Sequence, residues 1–132
     1  MTRKAARDLL FKLLYQSEFQ NENASSLYDI AESENNIDEK SKEYILSALD
    51  GIEGNFESIN KIISEKSDGW KLNRISKISI SCLRLGIFEI LFNPEIPDTV
   101  AINEAVGIAK LYEGEDAASF VNGILSSVIK DK

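Results

Sequence analysis

Apolar residues recur at intervals of three and four along most of this 132-residue chain, the spacing that gathers side chains on one face of an α-helix. Residues 3–20 are the first such stretch, with Ala6, Leu9, Leu10, Leu13 and Leu14 as the expected inner face. Asn21 to Ser26 read as a loop by composition, and 26–33 predicts a short helix. Asp38 is placed to cap a helix running to about residue 53, with Ile45, Leu46, Leu49 and Ile52 turned inward. Gly51 and Gly54 are expected to break that helix, and Asn55 to cap another through Ile59, Ile62 and Ile63.

Ser67-Asp68-Gly69 is the clearest internal boundary. It divides a single domain, 1–132, into an N-terminal half of about 1–67 and a C-terminal half of about 68–132. Residues 74–92 are the most apolar stretch, hydrophobic around most of the helical circumference from Ile75 to Leu91, as expected of a helix at the centre of the C-terminal half. Its isoleucines suit a strand, but strands rarely exceed about ten residues. Pro94 and Pro97 mark a loop, and helices follow at about 98–112 and 116–131. The expected fold class is all-α.

Charge changes this picture by its distribution. The net charge is −7, which taken alone argues against nucleic acid. Yet residues 1–12 hold Arg3, Lys4, Arg7 and Lys12 against Asp8, and residues 70–88 hold Lys71, Arg74, Lys77 and Arg84 with no acid. Thirteen acids and four bases occupy the stretch between them, 13–69. Two confined basic segments on an acidic body suit a local anionic ligand. Over a screening length of about 8 Å, the near bases outweigh remote acids.

Lys4, Arg7, Phe11 and Tyr15 follow one another at steps of three and four, so they line one stripe of the first helix, expected to point away from the core. Cations interleaved with aromatic faces are what an unpaired RNA strand requires: phosphate neutralisation beside a ring on which a base stacks. Taken alone, the stripe is better read as a polar face with Phe11 and Tyr15 packed on a neighbouring helix. Arg74, Lys77, Ser81, Arg84 and Phe88 form a similar line on the later helix. That line is either a docking face or simply the solvent side, with Arg84 paired to a carboxylate.

Enzymatic signals are missing. The chain has no histidine, the commonest general base and metal ligand. Its single cysteine, Cys82, lies in an apolar run and has neither a disulfide partner nor a base. No phosphate-binding glycine loop occurs, and Gly51-Ile52-Glu53-Gly54 reads as a helix junction despite its formal match to a GxxG clamp. No catalysis, cofactor or metal is expected. With no signal-like leader and no run of about eighteen apolar residues, the cytoplasm is the expected compartment.

The order of short strings from Ala5-Ala6-Arg7 and Leu14-Tyr15-Gln16 through Trp70-Lys71-Leu72-Asn73-Arg74-Ile75 to Leu83-Arg84-Leu85-Gly86-Ile87-Phe88-Glu89-Ile90 resembles the NusB family of transcription antitermination factors. Ile102-Asn103-Glu104-Ala105-Val106, followed by Phe120-Val121-Asn122-Gly123, is its most specific part. The resemblance spans nearly the whole chain and is weakest over 20–68. It implies two small antiparallel helical bundles packed together. It also implies binding, without catalysis, to boxA RNA jointly with NusE, a small-subunit ribosomal protein, within the complex that modifies RNA polymerase during rRNA synthesis.

Carried onto this sequence, the family's RNA-facing positions fall on Arg3, Lys4, Arg7, Tyr15, Asp116 and Phe120, with Phe11 on the same stripe. Ala5 stands where relatives often carry a base, so weak RNA affinity without NusE is expected. The helix 74–92, through Arg74, Lys77, Ser81, Arg84 and Phe88, is the expected partner face. Asn122-Gly123, locally a hairpin signal, is expected inside the last helix, with Gly123 allowing a close helix approach. Two other readings stay open. One is an RNA-guiding module acting with an rRNA methyltransferase, disfavoured because the chain carries no cofactor-binding region. The other is a protein-only adaptor or homodimer that hides the aromatic stripe.

Overall fold

The computed structural model describes residues 1–20, 22–69 and 71–132. Asn21 of the expected loop and Trp70 of the family strings lie outside them. Among the described residues there are seven α-helices and no strand: α1 (Arg3–Gln20), α2 (Ala24–Glu34), α3 (Glu39–Gly54), α4 (Phe56–Lys66), α5 (Lys77–Phe92), α6 (Asp98–Glu113) and α7 (Glu115–Lys130). A single 3-10 turn, Leu72–Arg74, precedes α5.

Side chains set several starts. Asn23 accepts from the Ser26 amide and Asp38 from the Ser41 amide. Ser76 accepts from the Ser79 amide at 3.0 Å, so the most apolar helix begins at Lys77. At the α3–α4 junction the break falls where it was expected, between Gly54 and Phe56, but the capping differs. Helix α3 runs through Gly51 to Gly54, and Asn55 makes no side-chain cap for α4. Its amide group instead donates to the Gly51 carbonyl at 2.7 Å, closing the helix behind it.

Gly51 has a packing role. A Cβ there would lie 2.1 Å from the Phe88 ring, so its absence lets α3 settle on α5; Gly86 does the same toward Leu125 of α7. Gly123, expected at a close approach, is exposed with nothing within 4 Å of its missing Cβ. The close contacts fall where helices meet α5, and Gly123 faces away from it.

Helix α5 is the axis of the molecule. It touches α1, α3, α4, α6 and α7, and every residue from Ser79 to Ile90 is buried. The expectation centred it in the C-terminal half alone; its continuous apolar surface instead serves both halves. Burying Leu83, Leu85 and Ile87 stabilises the fold by about 1.5–3 kcal/mol each relative to exposure. Helices α6 and α7 form a hairpin whose connection is Gly114, at φ 97°, a conformation that favours glycine.

Candidate nucleic-acid interface

The expected stripe of α1 divides along its length. Lys4 points to solvent, its side chain 84% exposed and its ammonium 3.9 Å from Glu104. Arg3 is also exposed, with its guanidinium 4.1 Å from the centre of the Tyr44 ring. Arg7, by contrast, is only 3% exposed, and its Nε donates to both Glu89 oxygens at 3.1 and 3.2 Å. Phe11 is buried as well. The stripe was expected to face away from the core. Helix α1 packs against α2, α3 and α5 together, so its buried arc includes Arg7 and Phe11 while Leu9 is only partly buried.

What emerges from that arc is a row of rings. Tyr112 of α6 stacks on Phe11 at 5.2 Å, Phe11 on Tyr15 at 6.0 Å, and Tyr15 meets Phe19 edge-on at 4.8 Å. Tyr15 is half-buried and Phe19 is 56% exposed, with the Lys77 ammonium 5.3 Å from its ring centre. Phe19 was legible in the sequence as the next i+4 step after Tyr15. Tyr112 was not, because it reaches the row from a distant helix.

Asp116 and Phe120, in the first and second turns of α7, line a cleft of ≈ 390 Å³ with Arg74, Ser76 and Glu113. The Ser76 and Ser79 hydroxyls donate to Glu113 at 2.6 and 3.2 Å. The first turn of α5 therefore lies between the two regions: Lys77 reaches Phe19, while Ser76 and Ser79 reach the α7 cleft.

The expected docking line on α5 is largely interior. Arg74 and Lys77 are exposed, but Ser81, Arg84 and Phe88 are buried, the last two against helices of the N-terminal half. Ser81 donates to the Lys77 carbonyl, and Phe88 fills the space over Gly51. Arg84 pairs with Glu18, donates to Asn60 at 3.0 Å and lies over the Phe56 ring at 4.5 Å. The predicted carboxylate partner for Arg84 is thus present, but the predicted exposure of that side is not.

Cys82 is buried, and burial, followed by the charge of Glu113, pushes its thiol up to about 12. Among the described residues no three acidic or thiol side chains gather as a metal site, and no helix is long and apolar enough to cross a membrane.

The pattern of the NusB family matches residues 4–130. The chain belongs to the NusB family. Two curated relatives, each a transcription antitermination protein NusB, are close to full-length matches. The one from Acetivibrio thermocellus is 44% identical over 132 residues, 100% of this chain and 91% of the relative. The one from Ruminiclostridium cellulolyticum is 43% identical over 130 residues, 98% of this chain and 90% of the relative. Among solved structures, that of NusB and NusE in complex with dsRNA aligns with a TM-score of 0.89 at 30% identity, covering 98% of this chain and 97% of that one. The all-α architecture read from the sequence is thus the architecture of NusB structures.

Proposed function

We propose that this protein is a non-catalytic, RNA-binding transcription antitermination factor of the cytoplasm. It binds boxA RNA jointly with NusE and enters the RNA polymerase antitermination complex during rRNA transcription. The observation that carries this reading is that α1 exposes two cations, Arg3 and Lys4, in its first turn and, about three turns further on, the ring row that surfaces at Tyr15 and Phe19. Family membership supplies the class of partner, since a relative with the same fold has been solved with NusE and RNA. Asp116 and Phe120 extend the proposed surface across the first turn of α5. Arg7 and Phe11 leave the proposed contact set and become its support.

In this assignment Arg3 and Lys4 neutralise phosphates while Tyr15 offers a face to an unpaired base, a contact of roughly 1–3 kcal/mol. A boxA RNA titration with and without purified NusE tests the reading, with tight binding expected only when NusE is present. Tyr15→Leu is expected to weaken binding several-fold at constant salt slope, and unchanged affinity would remove Tyr15 from the site.

A second reading has its own support. Leu111 is 73% exposed beside Tyr112, and both line a groove of ≈ 560 Å³ between α1 and α6. An exposed apolar edge of this kind suits a protein contact. Size exclusion with and without RNA separates the two: an RNA-indifferent dimer would favour the second.

A further inference from the structure

The side chain that touches Arg3 is itself held by a buried ion pair. Tyr44 of α3 is 7% exposed, and its hydroxyl donates to Glu89 of α5 at 2.5 Å. Glu89 is 1% exposed and is gripped by the Arg7 guanidinium of α1, which also lies 5.7 Å from the Tyr44 ring centre. Three helices therefore converge on one carboxylate. Burial, then the charge of Glu89, raises the Tyr44 pKa above its ordinary value, so the hydroxyl stays a donor. A ring fixed at its hydroxyl end presents its face at a defined angle.

Arg3 lies over that ring at the start of α1. Among the described residues no carboxylate is within ion-pair distance of Arg3, whereas Lys4 leans on Glu104. The Tyr44 ring is thus the tether of an otherwise free, multi-rotamer side chain. A guanidinium held over a ring face by this contact spends no N–H group on it, and the N–H groups are what grip phosphate oxygens. Arg3 and Tyr44 also line a cleft of ≈ 360 Å³.

We infer that Tyr44 is a positioning residue for RNA binding: its ring, locked by Glu89 and Arg7, pre-orients the Arg3 guanidinium toward the phosphate backbone. The inference rests on the functional reading above, and it deepens that reading by assigning a role to residues that do not touch RNA. It also changes the meaning of Arg7, which acts through Glu89 and Tyr44 rather than on a phosphate.

The test is a double-mutant cycle on RNA affinity, using the full chain, purified NusE and a single-stranded boxA oligonucleotide. Arg3→Ala is expected to weaken binding and flatten the salt slope by about 0.7. Tyr44→Leu is expected to cost about two- to fivefold, and the double variant no more than Arg3→Ala alone. Tyr44→Phe keeps the ring but cuts its tie to Glu89, so it should lose affinity by less than Tyr44→Leu does, and affinity equal to that of the parent protein would overturn the role given to the Glu89–Arg7 lock. Additive losses in the cycle would overturn the inference while leaving the functional reading intact. Unchanged affinity in Arg3→Ala would overturn both the inference and the proposed Arg3 contact.

Arg3→Lys gives a second measurement that does not disturb the core. It keeps the charge but replaces the flat fork by a compact ammonium. A two- to fivefold loss at unchanged salt slope is expected, and equal affinity would show that charge alone matters and reject the positioning role.

Discussion

Lys4 and Arg7 stand one turn apart on α1, carry the same charge and meet opposite environments. Lys4 is 84% exposed, and its weak approach to Glu104 at 3.9 Å leaves it free to exchange that carboxylate for a phosphate. Lys4→Ala should therefore reduce RNA affinity and flatten its salt dependence by about 0.7 per lost contact in a filter-binding series. Arg7 is enclosed with Glu89, and its removal leaves a buried carboxylate answered mainly by Tyr44. Arg7→Ala is expected to cost about 3–5 kcal/mol in urea denaturation, because breaking a buried pair strands its partner charge. Its RNA salt slope, measured where the variant is folded, should match that of the parent protein. A flattened slope would return Arg7 to the interface. The stripe of cations and rings was plain in the sequence, but which members face water was not. Side-chain type says little about burial when a helix packs against several others.

Helices carry a parallel contrast in their glycines. Gly51 and Gly123 both lie inside helices, and both look like local defects in sequence. A methyl group at Gly51 would collide with the Phe88 ring, which α5 holds in place, so Gly51→Ala should destabilise the protein by roughly 1–3 kcal/mol despite better helix propensity. At Gly123 nothing stands within 4 Å. Gly123→Ala should accordingly stabilise by about 0.5–1 kcal/mol, the usual gain from removing a glycine in a helix interior. Thermal melts of the two variants moving in the same direction would contradict this packing. The caps show the same division between local and distant causes. Asp38 acts on the next turn of its own chain, so its role was readable from position alone. Asn55 had two helices to serve, and the relative placement of α3 and α4 decided which one it closes.

For the whole molecule, two buried acidic groups of the interior contribute to its response to pH. Tyr44 and Cys82 are both buried on or against α5, and burial raises both pKa values; for Cys82 the value is about 12, against an ordinary 9.0. The folded state therefore holds these protons more tightly than the unfolded chain does. Where the unfolded chain has lost them, each further rise in pH favours unfolding. Their contribution is complete below about pH 9 and declines as pH climbs toward the folded-state values. The melting temperature should fall steeply above pH 9, and Cys82→Ala should fall less steeply over the same window. A Cys82→Ala profile parallel to that of the parent protein would assign the alkaline loss elsewhere. Helix α5 touches helices of both groupings.

The chain alone determined the helices, because spacing of apolar residues, caps such as Asp38 and the proline loop are interactions among near neighbours. It also carried the candidate chemistry: cations and rings at helical steps. Tertiary structure decided which of those groups remain available. Burial of Arg7 depends on Glu89, which is 82 residues away, and the interior position of Arg84 depends on Glu18 and Asn60. A charge enters a low-dielectric interior only where a distant partner meets it, and that meeting is a property of the packed helices rather than of any one of them.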